Sequence, residues 1–89
     1  MSTVRVPPVL RKQTNGAREV EADGGTVGDV LRDLAVKFPG LENQLLQDGT
    51  LPPYVNVYLN DQDIQYLQKL ETPVTERDTV VILPAMAGG

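Results

Sequence analysis

Polar and apolar side chains alternate most cleanly over Tyr54-Val55-Asn56-Val57-Tyr58-Leu59, with Val55, Val57 and Leu59 on one face and Asn56 and Tyr58 on the other. That period of two is the mark of a half-buried β-strand. A second alternation, Thr3-Val4-Arg5-Val6, runs into Pro7-Pro8 and Val9-Leu10. The two missing backbone donors predict a strand over 3–10 whose second half is irregular. Arg18 to Ala22 alternates again, and the Asn15-Gly16 turn pair lies between the two segments, so a β-hairpin with a loose loop is expected, closed by Asp23-Gly24-Gly25.

The period then changes. Val27, Val30, Leu31, Leu34 and Phe38 form one apolar stripe at helical spacing, with Asp29, Arg32, Asp33 and Lys37 on the wet side. Thr26 supplies a capping hydroxyl, and Asp29 places a carboxylate at the positive end of the helix. Pro39-Gly40 stops it. Leu41, Leu45 and Leu46 predict one more short helical turn before Asp48-Gly49 and Pro52-Pro53. Beyond the Tyr54 strand, Asn60 to Asp63 reads as a turn, Ile64 to Leu67 as a short return strand, and Leu70 to Asp78 as a polar connection. Thr79-Val80-Val81-Ile82-Leu83 is apolar and β-branched, as expected of a strand flanked on both sides and ended by Pro84. This order predicts a two-layer α+β domain, a mixed sheet packed on one main helix, and resembles the ubiquitin-like β-grasp. The chain divides into a β-grasp domain over 1–84 and an extended, flexible tail over 85–89.

With 89 residues there is room for one small core and not for an enclosed catalytic cleft as well. Eight Lys+Arg against 12 Asp+Glu leave a net charge of −4, which repels phosphate backbones and anionic bilayers, so neither nucleic acid nor a membrane is expected as a partner. The absence of Cys and His removes disulfides, thiolate and imidazole metal sites, thiol nucleophiles and His-based triads. Asp61-Gln62-Asp63 could open a calcium loop, but Tyr66 stands where that loop needs Gly and Thr72 where it needs Glu. A turn is the better account, and no metal site is expected. The charged helix face, with Asp33 and Lys37 at ion-pair spacing, is assigned no catalysis. No uncharged stretch is long enough to span a bilayer. The expectation is a cytoplasmic monomer.

Chemistry is left to the tail. After Asp78 no side chain is charged, and the chain closes Pro84-Ala85-Met86-Ala87-Gly88-Gly89, where the Gly89 α-carboxylate is the last charge. A Gly-Gly pair falls at this place by chance in about 0.8% of chains of this composition. Without a Cβ, Gly88 and Gly89 can follow a narrow channel in a partner enzyme. An ionised carboxylate must be activated before a nucleophile attacks it, as an acyl phosphate or acyl-adenylate. The chain has no phosphate-binding glycine loop, so another protein must handle ATP. The activated carbonyl could then accept sulfide and become a thiocarboxylate, with no internal thiol to compete.

The ending Asp78 to Gly89, with Val55-Asn56-Val57-Tyr58-Leu59-Asn60 and Lys37-Phe38-Pro39-Gly40-Leu41 upstream, resembles the ThiS/MoaD/CysO family of ubiquitin-like sulfur carriers. Leu83-Pro84-Ala85-Met86-Ala87-Gly88-Gly89 is most like the CysO-type carriers of cysteine biosynthesis; Arg77 stands where the family commonly has Gly. The resemblance implies that the chain is not an enzyme but a protein co-substrate that binds no cofactor. It implies adenylation of Gly89 by an ATP-using enzyme of the ubiquitin-activating type, a sulfur donor that converts Gly89 to the thiocarboxylate, and threading of Ala85, Met86, Ala87 and Gly88 through partners. On the CysO-like branch it further implies a sulfur-accepting, pyridoxal-phosphate-dependent cysteine synthase and a JAMM-type zinc protease. The small subunit of a molybdopterin synthase and a ubiquitin-like protein modifier joined to lysines are the alternatives.

If Thr79 faces solvent, Val80 and Ile82 enter the core while Val81 and Leu83 lie on the outer sheet face beside Tyr58. With Pro84 they make an apolar strip next to the tail, a candidate docking surface. A cross-strand patch that only stabilises the sheet is the other account. An all-apolar strand leaves its parity open.

Overall fold

The computed structural model describes residues 1–41, 45–46, 51–52 and 55–84. Strands β1 (Ser2–Arg5), β2 (Glu19–Ala22), β3 (Val55–Leu59), β4 (Gln62–Asp63) and β5 (Thr79–Pro84) build one mixed sheet in the order β2-β1-β5-β3-β4. Helix α1 (Val27–Lys37) packs on it. The fold is the ubiquitin-like β-grasp that the order of elements predicts. Among the described residues no helix is long and apolar enough to cross a membrane.

Apolar periodicity accounts for the core. Val27, Val30, Leu31 and Leu34 of α1 are buried against Val4, Ala22, Val57, Val80 and Ile82 of the sheet, and Phe38 packs on their rim. Removing a buried Leu such as Leu31 to Ala typically costs about 2–5 kcal/mol. The helix starts where Thr26 predicts, its hydroxyl accepting the Asp29 N–H at 3.1 Å. Val27 N–H donates to Thr72 O, and Val74 N–H to Gly25 O, each at 3.0 Å, so the segment entering β5 is fastened to the helix start.

Several boundaries differ from the sequence reading, each for a local reason. The segment 3–10 is not one strand: β1 ends at Arg5, and Pro8 to Thr14 form a 3-10 helix. Pro8 is pre-set for a first helical turn, Leu10 N–H donates back to Pro7 O, and the turn carries Leu10 and Thr14 into the interior. Asn15 and Gly16 then reverse the chain with φ of 56° and 83°, as their turn chemistry predicts. Ile64 to Leu67 is not a return strand. Only Gln62 and Asp63 pair with β3, because the Asp63 carboxylate accepts the Gln65 N–H at 3.0 Å and bends Ile64–Tyr66 into a 3-10 turn that buries Ile64. Pro84 belongs to β5, in register with Val55. Leu41 and Leu45 are buried as apolar spacing suggests. Residues 42–44, Asp48-Gly49, Pro53 and Tyr54 lie outside the described residues.

Strand β2 is an edge, with outward backbone groups open to unwanted pairing. Two helix side chains occupy them. Lys37 Nζ donates to Glu21 O at 3.1 Å, Asp33 Oδ2 accepts the Asp23 N–H at 2.8 Å, and the two side chains pair at 3.0 Å. The Asp23 N–H, helped by Lys37, holds the Asp33 carboxyl below its ordinary value. The predicted ion pair is therefore also a strap from helix to sheet edge.

Gly24 lies under the start of α1, where an added Cβ would come within 2.5 Å of Val30 N and 2.8 Å of the Asp29 carbonyl carbon. At Gly25 a Cβ would meet nothing within 4 Å. Gly24→Ala is therefore expected to destabilise the domain by about 1–3 kcal/mol. Gly25→Ala should be neutral or stabilising by up to about 1 kcal/mol. Urea denaturation of the two variants checks this, and equal midpoints would contradict it.

Candidate functional site

The site is assembled around β5. It lies between β1, which it pairs in parallel (Thr3 with Thr79, Val4 with Val80, Arg5 with Val81), and β3, which it pairs antiparallel from Leu59–Val80 to Val55–Pro84. The tail residues therefore follow a strand paired with β1 as far as Val81 and with β3 as far as Pro84. Ala85, Met86, Ala87, Gly88 and Gly89 themselves lie outside the described residues.

The parity left open by the sequence is resolved by burial. Val80 is 0% and Ile82 1% exposed, whereas Leu83 is 40% exposed and Val81 half-buried. Even positions thus face α1 and odd ones the outer face. Register then sets Arg5, Val81, Tyr58 and Asp63 in one row across that face, and Leu83 beside Asn56 in the next. Of the four residues expected to form a docking strip, Tyr58, Val81 and Leu83 share the outer face. Pro84 follows Leu83 at the last paired position of β5.

A clamp at the far end of β5 went unread in the sequence. Asn60, in the turn after β3, adopts φ 57°. Its N–H donates to Thr79 O at 2.7 Å, its side-chain oxygen accepts the Thr79 N–H at 3.0 Å, and its Nδ2 donates to Asp78 Oδ1 at 3.1 Å. Asp78 Oδ2 also accepts the Thr75 N–H at 2.8 Å. That backbone N–H, followed by Asn60, holds the Asp78 carboxyl below its ordinary value. The turn-forming Asn60-Asp61 pair was visible, but its partners lie 18 and 19 positions away. The residues with positive φ are Asn15, Gly16, Asn60 and Lys69 among those described, so Arg77 sits in backbone that any side chain can adopt.

Among the described residues no group of His, Cys, Asp or Glu could hold a metal ion. What the geometry offers is a presentation device: a rigid central strand, clamped at its start, with a half-exposed apolar strip beside its end. Element order and sheet topology of this kind are those of the ubiquitin-like β-grasp class.

Comparison with known proteins gives the family. A model described as the ThiS family matches residues 4–89, and the chain belongs to that family. It is 40% identical over 90 residues to the sulfur carrier protein CysO of Mycobacterium tuberculosis, covering 98% of this chain and 97% of that protein. A chain of the crystallised Amycolatopsis orientalis BexX/CysO complex superposes with a TM-score of 0.92 at 39% identity, covering 100% of both chains. The small archaeal modifier protein 1 of Methanosarcina acetivorans superposes with a TM-score of 0.87 at 30% identity, over 99% of this chain and 95% of that one.

Two outcomes test the site. Leu83→Asp should leave a folded domain, since the side chain is 40% exposed. Ile82→Asp, burying an unpaired carboxylate, should cost several kcal/mol or unfold it. Thermal melts of the pair check the parity. For Asp78 the folded pKa is depressed, so its stabilisation is present above the ordinary carboxylate pKa of about 3.9 and is lost as pH falls through the lower folded value. Asp78→Asn should be less stable than the parent at neutral pH, with the gap closing in acid. Denaturation titrations at several pH values measure it, and a gap independent of pH would assign the loss to shape rather than charge.

Proposed function

We propose that this chain is a sulfur carrier whose Gly89 α-carboxylate is adenylated by a partner and converted to a thiocarboxylate that donates sulfur, with cysteine biosynthesis as the pathway. The carrier role rests on one observation, the 40% identity to CysO sulfur carriers over nearly the whole of both chains. That the match to the ThiS family extends through Gly89 supports the assignment of the reactive group. The chain acts as substrate rather than catalyst. Carboxylate and ATP give the acyl-adenylate and pyrophosphate. A sulfur nucleophile then displaces AMP, leaving sulfur in place of one carboxylate oxygen. Neither ATP nor any other cofactor is held by this chain; the adenylating enzyme, of the ubiquitin-activating type, binds it.

Docking is assigned to Tyr58, Val81, Leu83 and Pro84, an apolar strip within reach of a partner that accepts residues 85–89. A CysO relative crystallised as a complex with a second protein, BexX, supports a carrier of this shape binding a protein partner. The expected acceptor is a pyridoxal-phosphate-dependent synthase, with a JAMM-type protease to release the product. Similarity to small archaeal modifier protein 1 favours one second reading, a protein modifier joined to lysines through Gly89.

Intact-mass spectrometry of the chain isolated from its own cells separates the two. A carrier shows a fraction heavier by the difference between sulfur and oxygen; a modifier appears as isopeptide-linked adducts on other proteins. Deleting Gly89, or adding one residue after it, should leave the thermal midpoint unchanged and abolish thiocarboxylate formation. Retained thiocarboxylate in the deletion would remove Gly89 from the reaction.

A further inference from the structure

The net charge of −4 conceals a separation of charge along the strand axis. No Asp or Glu occurs before Glu19, and Arg5, Arg11, Lys12 and Arg18 are half of the chain's eight cationic side chains. The topology sets Arg5 beside the middle of β5 and carries Arg11, Lys12 and Arg18 past it, toward the end of the sheet at which β5 finishes. Because β1 runs parallel to β5 with Arg5 opposite Val81, the residues after Arg5 lie beside the end of β5. The 3-10 helix carrying Arg11 and Lys12 follows at once, and Val6 N–H donates to Arg18 O at 2.8 Å, drawing the start of β2 to the same end. Arg5, Lys12 and Arg18 are exposed, and Arg11 is half-buried with its Nε donating to Val6 O at 3.1 Å. Glu19, opposite Arg5, is the carboxylate nearest to them in the sheet register.

The opposite end is acidic. Asp23 follows β2, Asp61 lies in the turn between β3 and β4, and Glu76 and Asp78 precede β5, four carboxylates against two cations, Arg77 and the Met1 α-ammonium, which lies 3.6 Å from Asp23 and 3.9 Å from Glu76. Six residues of β5 separate the two ends by about 17 Å at roughly 3.3 Å per residue. That is twice the Debye length of about 8 Å at physiological salt, so a partner approaching the tail meets the basic end and not the net charge.

We propose that Arg5, Arg11, Lys12 and Arg18 form a basic collar at the exit of the tail, which docks on an acidic face of the protein that receives the tail. The proposal rests on the reading above that the tail is the reactive end. Acidic protein is favoured over nucleic acid because residues 1–18 contain no aromatic side chain on which a base could stack and because Glu19 and Glu21 continue the same edge. Exposed charges of this kind act on encounter rate, register and salt dependence more than on stability.

The test is a 15N amide titration of the full chain with hexaglutamate peptide, and in parallel with an oligothymidylate of equal charge. Shifts with hexaglutamate should concentrate on residues 5–18 and the end of β5, and should fade as added salt shortens the Debye length from about 30 Å at 0.01 M to about 8 Å at 0.15 M. Lys12→Glu and Arg18→Glu, with unchanged thermal midpoints, should each weaken binding by about 2- to 5-fold. Arg77→Glu, the same charge change at the other end, should not. Equal weakening by Arg77→Glu, or shifts spread over the acidic end, would overturn the collar. Tighter binding of oligothymidylate than of hexaglutamate would overturn the protein partner. Deleting Gly89 should leave hexaglutamate binding intact. Thiocarboxylate retained in the deletion, with hexaglutamate still bound at residues 5–18, therefore retires only the reading of the tail, and thiocarboxylate lost as expected with no hexaglutamate shifts at residues 5–18 retires only the collar.

Discussion

The pairing of β5 along both edges is the constraint on which the rest of this molecule depends. Backbone N–H and C=O groups removed from water must find partners, and β5 finds them on β1 at one edge and β3 at the other. β1 begins at Ser2 and β5 ends at Pro84, so this pairing closes almost the whole chain into one loop. Such closure is entropically costly and is offset by what it buries: Val4, Val80, Val57 and Ile82 meet the apolar stripe of α1 only when β5 is in place. One strand therefore completes the core.

A sheet that must stay available to partners at one end has to be quiet elsewhere. The β2 edge is occupied by Lys37 and Asp33 from the helix, while β4 is reduced to two residues by the turn that Asp63 caps. Both are ways of denying an edge to another chain. The Asn60 and Asp78 clamp does related work at the start of β5, fixing its register against β3 from the first paired residue. Since a slip of one residue would turn Leu83 inward and Ile82 outward, this clamp also keeps the apolar strip on the outer face.

Charge and apolar surface converge at one end of the molecule without sharing a segment of sequence. Val81 and Leu83 come from the last strand, Tyr58 from β3, Arg5 from β1 and Lys12 from the 3-10 helix. The sheet order alone brings these segments together around β5. The composition makes the protein acidic overall, yet the first eighteen residues carry four cationic side chains and no carboxylate side chain.

Much of this could be read before folding. Period-two and helical spacing located α1, β3 and β5 and selected Val27, Val30, Leu31, Leu34, Val55 and Val57 for the core, because burial demands one apolar face whatever the topology. The Gly-Gly ending and the lack of Cys and His directed the expected chemistry to the tail, because those absences remove thiol nucleophiles and imidazole bases outright. What folding alone decided came from two short-range turns and from partners far apart along the chain. Pro7-Pro8 and Asp63 acted through short-range turns that overrode a weak strand pattern. The parity of β5 was undetermined in a run of five apolar or β-branched residues until α1 covered one face. The Asn60 clamp, the Asp33 and Lys37 strap and the gathering of Arg5, Arg11, Lys12 and Arg18 beside the end of β5 depend on register between segments remote in sequence, and register is a property of the assembled sheet.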